Sequence, residues 1–349
     1  MTFSRKVATI QDVARIAQVS TATVSRALSR PETVSLQSRE RISEAVRLTG
    51  YTLNQLARSL RQRTARTILV ALPDIRNTFF SSILDAIERE ACRRGYGMLV
   101  VNRPSGDKAD RLLHDYFLSN RADGLLLLDG SVELSDLLLL AGEPAHVPLV
   151  MACESIAGAP FHTVTTDNVY AAEVATRHLI GLGHKKIAHI RGPQNNGLTL
   201  ERQAGFRNAM AANGLVVPPQ YLLAGGFEME RGLAAADAFM ALAERPSAVF
   251  AANDESAIGF LSGLRRYGIE CPRDVSVVGF DDLAVAAHFW PPLTTMRQPC
   301  AALGRSAAEA LIDLIEGKPP NRLPRHTVLS SGLVVRGSTA PLPSATQSP

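Results

Sequence analysis

The 349-residue sequence lacks the long apolar segments of a membrane or secreted protein. Its longest apolar runs, ILVAL at 68–72 and LLLL at 137–140, are far shorter than the ~20 residues that span a bilayer. The N-terminus MTFSRKVATIQDV has no apolar stretch of the kind that a signal peptide needs. We therefore expect a cytoplasmic protein with no membrane partner.

Cysteine is scarce and dispersed, which argues against a disulfide or zinc framework. The four residues Cys92, Cys153, Cys271 and Cys300 form no CxxC pair and have no paired histidines near them. Buried reduced thiols are therefore the favoured interpretation. His184 and His189 are five positions apart, a poor spacing for a metal pair, so they are interpreted as surface or core histidines. We expect neither a metal nor a cofactor.

The sequence also lacks the short motifs of common enzymes. It contains no GxSxG, no P-loop and no glycine-rich dinucleotide fingerprint, and GLGHKK at 181–186 precedes a predicted strand instead of following one. We expect no catalytic residues and no enzymatic activity. Two alternatives stay open: a cytoplasmic small-molecule binding protein, and a carbohydrate- or nucleoside-processing enzyme with an accessory head.

Charge is present but unevenly distributed. Residues 1–66 contain twelve Lys or Arg and four Asp or Glu, a net charge of +8, so a total of +4 leaves −4 for the other 283 residues. This asymmetry is typical of a basic head that binds a polyanion and is carried on a nearly neutral body. The alternative is a charged face that only contacts water.

The basic head has the pattern of three short helices. Thr9 and Asp12 form a helix-start signature, Ser20 is positioned to cap a second helix from Thr21 to about Leu28, and a third pattern runs from near Ser35 to a stop at Gly50. Two short helices with a tight turn and a third bracing helix are typical of a helix-turn-helix, whose second helix enters the major groove of DNA.

The outward face of that second helix is small and polar, with Thr21, Ala22, Ser25 and Arg26. Hydroxyl and methyl groups can approach base edges closely, and an arginine forms two hydrogen bonds to guanine. The face therefore predicts base contacts in double-stranded DNA. The alternative is a three-helix protein-interaction module.

From Thr67 onward, short apolar runs alternate with amphipathic stretches, which predicts βαβ units and parallel sheets. A single sheet would need too many strands, so the predicted fold class is α/β with two doubly wound lobes behind the helical head. Predicted strands are 67–73, 97–102, 122–129, 148–153, 186–192, 248–253 and 275–282. Predicted helices are 80–95, 108–120, 168–182, 200–213, 254–267 and 301–316.

Ligands of open parallel sheets bind beyond the carboxyl ends of the strands, and the residues predicted there are polar or aromatic. Such positions include Asn102, Glu154, Asn253 and Asp281. Together with Arg202 they predict a cleft for a small polar molecule with hydroxyl groups. Two alternatives stay open: Phe79 and Phe80 are equally compatible with a core position, and Asp282 is better explained as a strand-end carboxylate that pairs with water.

Long segments of the sequence resemble the LacI/GalR family of bacterial repressors. The resemblance rests on ATIQDVARIAQVSTATVSRAL at 8–28, VS at 34–35, GY at 50–51 and LARSL at 56–60, and it continues to VVRGST at 334–339. VSTATVSRAL, RTILVALPDI and PPLTT are nearest to the cytidine- and purine-repressor branch. The resemblance implies a periplasmic-binding-protein-like body whose chain crosses between lobes near Thr166-Asp167, Arg297-Gln298 and Val328.

The resemblance also implies a hinge helix at about 54–61 that folds on operator DNA, with Leu60 as a wedge in the minor groove and Ala57 at a close approach. The alternative for Leu60 is packing against the body. Many members have a proline after the hinge tyrosine, whereas Thr52 follows Tyr51 here. The predicted DNA-binding residues are Thr9, Thr21, Ala22, Thr23, Ser25, Arg26, Tyr51, Ala57 and Leu60.

By the same resemblance, Arg202, Asn253 and Asp281 match positions that hold the effector, and Phe80 and Phe227 match positions that stack on it. Purine binders have Arg and Thr where this chain has Asn196 and Leu198, which weakens a purine interpretation. The predicted effector-binding residues are Phe79, Phe80, Glu154, Asn196, Arg202, Phe227, Asn253 and Asp281. The predicted function is a homodimeric repressor of a palindromic operator, controlled by a sugar, sugar acid or nucleoside.

The predicted domains are a head at 7–62 and an effector-binding and dimerisation body at 63–340. Its lobes are about 67–166 plus 298–327, and 167–297 plus 328–340. The Pro/Ser-rich end GSTAPLPSATQSP is predicted to be disordered, with a tail at 341–349, and it lacks the leucine heptads that join some relatives into tetramers.

Overall fold

The computed structural model describes residues 8–51, 64–103, 113, 115–142, 146–194, 196–318 and 325–342. The chain divides into two compact units, Met1–Arg63 and Thr64–Pro349, which we call the head and the body. The predicted hinge helix at about 54–61, with Ala57 and Leu60, lies outside the described residues, as do residues 343–349 of the predicted tail. No helix among the described residues has the length and apolarity to cross a membrane.

The head contains three α-helices, and their ends are fixed by the residues that the sequence singles out. They are α1 (Ile10–Ala17), α2 (Thr21–Ser29) and α3 (Leu36–Thr49). The predicted capping box of α1 is confirmed: the Asp12 N–H donates to the Thr9 hydroxyl, and the Thr9 N–H donates to the Asp12 carboxylate at 3.0 Å. Ser20 caps α2, and Gly50 ends α3 with a left-handed φ of 63°.

The three helices enclose a small apolar core. Its buried members are Val13, Ala14, Ala17, Val24, Ile42 and Ala45. Arg41 of α3 donates to the carbonyl oxygens of Ala17 and Gln18, where α1 ends with Gln18 in the left-handed region. Arg41 therefore connects α3 to the turn between the first two helices, and its guanidinium binds acceptors within the head.

The body alternates strands and helices along its whole length. The first part contains β1 (Thr67–Leu72), α4 (Phe79–Arg93), β2 (Gly97–Asn102), β3 (Gly124–Leu127), α5 (Leu134–Ala141), β4 (Leu149–Cys153) and β5 (His162–Thr166). The second contains α6 (Asn168–Gly181), β6 (Ile187–Arg191), α7 (Gly197–Ala212), β7 (Leu222–Ala224), α8 (Met229–Met240), β8 (Ala248–Ala251), α9 (Asp254–Arg265), β9 (Ser276–Asp281) and β10 (Thr294–Arg297). The last contains α10 (Cys300–Ile315), β11 (His326–Leu329) and β12 (Gly332–Val334).

These strands form two six-stranded sheets, which define a first and a second lobe. The first sheet is parallel throughout, in the order β11-β5-β4-β3-β1-β2. The second sheet has the order β12-β10-β9-β8-β6-β7 and is parallel except for β12, which is antiparallel to β10. The chain passes between the sheets after Thr166, after Arg297 and between Leu329 and Gly332.

Each central strand is buried on both faces, as the predicted parallel sheets require. Residues 68–72 of β1 and all of β3, β4, β8 and β9 are buried. Helix α10, which follows the second crossing, packs on α4 and on the first sheet. Helix α10 and β11 therefore return the chain to the lobe in which the body began, and β12 ends it in the second sheet.

Helices α5 and α8 were not predicted. Helix α5 contains the LLLL run, of which Leu137 and Leu140 are buried while Leu138 and Leu139 face outward. Only residues 113 and 115–118 of the helix predicted at 108–120 are described as helical. Strands β5, β7, β10, β11 and β12 were not predicted: β5 and β10 are rich in threonine, and β7 and β12 have only three residues.

The prediction of disorder is wrong for the first part of the end segment. The Ser338 hydroxyl is fully buried and donates to the Val277 carbonyl at 2.6 Å, while the Thr294 N–H donates to the Ser338 oxygen at 2.8 Å. The Leu342 N–H donates to the Leu182 carbonyl at 2.8 Å. Residues 337–342 are therefore fixed on the second lobe, because their small side chains allow hydrogen bonds with strand ends.

Candidate functional site

The predicted DNA-reading face is the exposed side of α2. Thr21, Ala22 and Arg26 are exposed, and Ser25 is half-buried. Val24, which points the opposite way, is fully buried in the head core. The face is small and polar because these positions have no role in packing the three helices.

Arg26, like Arg30 and Arg39, has no side-chain partner among the described residues of the head, whereas three other arginines do. Arg15 pairs with Asp12, Arg47 pairs with Glu44, and Arg41 binds carbonyl oxygens. No residue in the described part of the head forms a hydrogen bond or ion pair with the Arg26 side chain. Its guanidinium is therefore available for an external acceptor.

Three other predicted DNA-binding residues have a structural role within the head. The hydroxyls of Thr23 and Ser20 lie 2.9 Å apart at the start of α2, and the Thr9 hydroxyl donates to Asp12 at 2.7 Å. Tyr51 packs against the head core. Contacts of these three residues with DNA stay a prediction.

The carboxyl ends of the two sheets meet where Glu154 of the first lobe contacts Asn196 of the second, and we call this region the cleft; four of the eight described non-glycine residues with positive φ lie at these strand ends. Four non-glycine residues that end or follow strands have positive φ: Cys153 (68°), Phe227 (63°), Asp281 (122°) and Asp282 (59°). Such conformations cost about 1–3 kcal/mol each and persist where the surroundings enforce them, frequently at functional sites.

Arg202 is the buried cation of the cleft. It is 2% exposed; its Nε donates to Asn168 Oδ1 at 3.1 Å and its Nη1 to the Ala252 carbonyl at 2.6 Å. The guanidinium carbon lies 3.8 Å from the centre of the Phe280 ring. Burial lowers the pKa of Arg202, and the carboxylate of Asp281, 3.9 Å from Nη1, opposes that effect.

Asp281 is connected to two of the three segments that cross between the lobes. Gln298 Nε2 donates to Asp281 Oδ1 at 2.7 Å, and the Thr166 hydroxyl donates to Gln298 Oε1 at 3.1 Å. Burial raises the pKa of Asp281 to about 6, although Arg202 and Gln298 stabilise its charged form. The carboxylate, the guanidinium and the two crossings thus belong to one hydrogen-bonded chain.

Glu154 joins the two lobes directly. Its Oε2 accepts a hydrogen bond from the Gly130 N–H of the first lobe at 3.1 Å and one from Asn196 Nδ2 of the second at 3.0 Å. A Cβ at position 130 would lie 2.6 Å from this oxygen, so a larger residue there would displace the Glu154 carboxylate. Burial raises the pKa of Glu154 to about 7, against the hydrogen bond from Asn196.

Asn253 is used mainly by the protein itself. Its side-chain oxygen caps α9 by accepting from the Ser256 N–H and hydroxyl, and its Nδ2 donates to the Phe227 carbonyl at 3.0 Å. The amide thereby fixes the strained Phe227, whose ring lies 5.6 Å from the Arg202 guanidinium. A direct contact of Asn253 with an effector stays a prediction.

Phe79 and Phe80 are both buried in the core of the first lobe, with ring centres 5.3 Å apart in an edge-to-face arrangement. This packing agrees with the core alternative, and stacking on an effector stays a prediction. Asn102 Oδ1 accepts from the Ile75 N–H at 3.0 Å and so orders the loop after β1. The interpretation of Asp282 as paired with water is wrong: it binds Arg297 and Arg336, because the strand ends bring both cations to it.

Several polar residues of the cleft were not predicted. Gln298 and Asn168 belong to its hydrogen-bonded network, and the first lobe adds the buried pair Arg103–Asp129, whose charged atoms lie 2.7 Å apart. Asp129 and Asn168 follow a strand or a crossing, so their position was a usable signal. The sequence analysis placed Gln298 at a crossing between the lobes, but did not predict its hydrogen bond to Asp281.

Both the three-helix head and the two-lobed body match known proteins. Residues 9–54 match the model described as bacterial regulatory proteins, lacI family, and residues 176–339 match a periplasmic binding protein-like domain. The HTH-type transcriptional repressor CytR of Escherichia coli (strain K12) is 37% identical over 343 residues, 96% of this chain and 97% of that protein. The repressor PurR of Vibrio cholerae serotype O1 (strain M66-2) is 35% identical, over 90% of this chain and 94% of its own.

The chain belongs to the lacI family of bacterial regulatory proteins. It is a DNA-binding, effector-regulated transcription regulator, as its family resemblance predicts. The lac repressor dimer bound to operator and the anti-inducer ONPF has a similar structure, with a TM-score of 0.84 and 26% identity over 96% of this chain and all of that one. A complex of the transcriptional regulator CelR with cellobiose has a TM-score of 0.72 and 32% identity, covering 95% and 99%.

Proposed function

We propose that this lacI-family protein is a homodimeric repressor that reads a palindromic operator through α2. Its affinity for the operator falls or rises when a small polar effector occupies the cleft. The observation that carries the DNA-binding part is the exposed face of α2 with its unpartnered Arg26. A twofold dimer presents two such helices, which matches two half-sites of a palindrome. The expected base-contacting residues are Thr21, Ala22, Ser25 and Arg26.

The cleft supports binding of a small polar molecule. Arg202, Asp281 and Glu154 are buried ionisable groups, and Phe227 adds an aromatic face beside the guanidinium. Sites with a few convergent polar groups and perturbed pKa values are typical of ligand binding. CelR is named with cellobiose, which supports a sugar; a sugar acid and a nucleoside are the other members of the proposed class.

We propose no enzymatic activity and a cytoplasmic location on or near the nucleoid. The relatives are transcription regulators, and their operator DNA lies in the cytoplasm of bacteria. Within the described cleft, the buried carboxyls of Asp281 and Glu154 already accept hydrogen bonds that hold the lobes and crossings together. Such a structural role supports binding rather than proton transfer.

The test compares two variants that each remove one positive charge from the head. Arg26→Ala should weaken operator binding by about 1–3 kcal/mol for each base contact and relax the preference at one base of each half-site. Arg47→Ala, which only breaks an exposed pair with Glu44, should weaken specific and non-specific DNA alike. Binding isotherms on the selected operator and on single-base variants measure both.

Equal base preference in the wild type and in Arg26→Ala would contradict the assignment of Arg26. A protein that binds every DNA sequence with one affinity would contradict the proposed function itself. Circular dichroism of both variants serves as the folding control, since neither guanidinium has a partner in the head core.

A further inference from the structure

The arginine that ends β6 lies close to Arg202 at the carboxyl end of the second sheet. In the parallel register of β6 and β8, Ile190 is paired with Ala251, so the next residue, Arg191, is opposite Ala252. Neighbouring strands are about 4.8 Å apart. The Ala252 carbonyl accepts from Arg202 Nη1 at 2.6 Å. The backbone of Arg191 is therefore one strand away from the acceptor that positions Arg202.

The side chains of the two arginines are on the same face of that sheet. Residues two positions apart in a strand share a face, so Arg191 follows His189, whose ring stacks on Phe206 of α7. Arg202 belongs to α7 and covers the ring of Phe280, which lies in the same apolar cluster as Phe206. Burial lowers the pKa of His189 to about 4, and the charges of both arginines act in the same direction, which agrees with their proximity.

Several polar groups at these strand ends have no partner in the described part of the chain. Arg191 Nε and the Thr199 hydroxyl are buried without a hydrogen bond, and Thr199, in the first turn of α7, is 2% exposed. Arg202 uses two of its five N–H groups on described residues, namely Asn168 and Ala252. Because buried polar groups in proteins normally have partners, this concentration of unused donors points to a ligand with acceptor oxygens.

Gly192 brings the Thr199 hydroxyl next to Arg191. A Cβ at position 192 would lie 2.3 Å from Thr199 Oγ1 and 2.4 Å from Phe227 Cζ, so the backbone after Arg191 packs directly against both side chains. The centre of the Phe227 ring lies 5.6 Å from the Arg202 guanidinium carbon. Two guanidinium groups, one hydroxyl and one aromatic ring therefore converge at the ends of β6 and β8.

The charges at this place favour a ligand with one negative charge. Asp281 lies 3.9 Å from Arg202 Nη1, whereas no carboxylate among the described residues forms an ion pair with Arg191. One positive charge is therefore unmatched, and a guanidinium fits the two oxygens of a carboxylate. A phosphate dianion would bring one negative charge more than Arg191 neutralises, in the neighbourhood of Asp281.

We propose that Arg191 and Thr199, together with the unused N–H groups of Arg202, form a subsite for the carboxylate of a sugar acid. Arg191 is the specificity-determining residue, which makes the cleft prefer the acid to the neutral sugar. This inference rests on the proposed effector-controlled function and narrows its ligand class from sugars, sugar acids and nucleosides to sugar acids. Asp281 and Glu154 serve as acceptors for hydroxyl groups of the same molecule.

The test titrates two acids and their neutral partners into the full chain: glucuronate with glucose, and galacturonate with galactose. Melting temperature and calorimetry give the affinities. A charge-assisted hydrogen bond in a buried site corresponds to roughly tenfold to a hundredfold in affinity. The wild type should prefer at least one acid to its neutral partner by this factor. Arg191→Gln should lose roughly tenfold or more of that preference and keep the affinity for the neutral sugar.

Arg207→Gln is the matched control, because Arg207 is an exposed arginine of α7 and its replacement changes the net charge equally. This variant should keep the preference of the wild type. Arg191→Lys keeps the charge without the planar fork and should retain part of the preference. The melting temperature of Arg191→Gln without ligand should equal that of the wild type, since Arg191 Nε has no described partner to lose.

The absence of an acid preference in both pairs overturns the proposal, including the case in which none of the four sugars binds. An acid preference that persists in Arg191→Gln, or that disappears equally in Arg207→Gln, also overturns it. Glucose 6-phosphate is the dianionic probe, and tighter binding of this ester than of glucuronate overturns the assignment of a carboxylate. Operator binding is measured separately: its absence rejects the proposed repressor function, while an acid preference that depends on Arg191 still supports the subsite.

Discussion

Replacing Arg202 with alanine should destabilise the body and make its stability depend on pH in a new way. The substitution removes the donors to Ala252 and Asn168 and leaves Asp281 without its nearby cation. Loss of one partner of a buried ion pair costs about 3–5 kcal/mol. The distance of 3.9 Å and the remaining hydrogen bond from Gln298 place the expected loss near the lower end, at about 3 kcal/mol.

The pH dependence comes from Asp281. Its pKa is already raised to about 6 by burial, above the ordinary value of 3.8, so the folded state holds a proton that the unfolded state releases. Stability from such a group is present below pH 3.8 and is lost as the pH rises through the folded pKa. Without Arg202 the pKa rises further, and each additional unit adds about 1.4 kcal/mol to the loss at pH 8.

The assay is urea denaturation of the body, followed by circular dichroism at pH 5 and pH 8. Arg202→Ala should be more destabilised at pH 8 than at pH 5, because at pH 5 Asp281 is mostly protonated in both proteins. The double variant Arg202→Ala/Asp281→Asn should lose this additional pH dependence. An equal loss of stability at the two pH values would show that Asp281 does not respond to Arg202, and the reasoning about the buried pair would fail.

Two further predictions address the head and the second lobe. Because the first 66 residues carry a net charge of +8, a dimer making about 6–10 phosphate contacts should lose roughly 10³–10⁵ in operator affinity between 50 and 200 mM salt; a flat salt titration contradicts this. His189 is buried between the Phe206 and Phe250 rings, and burial lowers its pKa from 6.5 to about 4. The stability that neutral His189 contributes is present above pH 6.5 and is lost as the pH falls through about 4. His189→Gln should therefore remove up to about 3 kcal/mol of the pH dependence of the free energy of unfolding on the acid side. An unchanged acid unfolding transition in this variant contradicts the prediction.

Local signals in the sequence were sufficient for the head. The Thr9–Asp12 capping box, the Ser20 cap and the Gly50 stop each depend on residues within a few positions of one another. The polar face of α2 follows from helical spacing once Val24 is assigned to the core. These features could be predicted because the interactions that fix them are local.

The alternation of strands and helices in the body could also be predicted from the sequence. Hydrophobic periodicity was not sufficient to identify every strand of the two lobes. The continuous apolar runs of β1 and β9 predict parallel strands, whereas the threonine-rich sequences of β5 and β10 do not. Both strands lie beside the crossings, and their extended conformation is stabilised by pairing with a neighbouring strand instead of by an apolar composition. Their assignment therefore depends on the sheet that surrounds them.

The sequence by itself determined the helix-turn-helix pattern, the basic charge of the head, the α/β body and the polar character of its strand ends. Only the tertiary structure decided which of those ends meet: Glu154 with Asn196 across 42 positions, and Thr166 with Gln298 across 132. It also decided that Asn253 is used to cap α9 and that Asp282 is neutralised by two arginines. The physical reason is that a buried polar group must find a partner, and the order of strands in the sheets selects which partner is near.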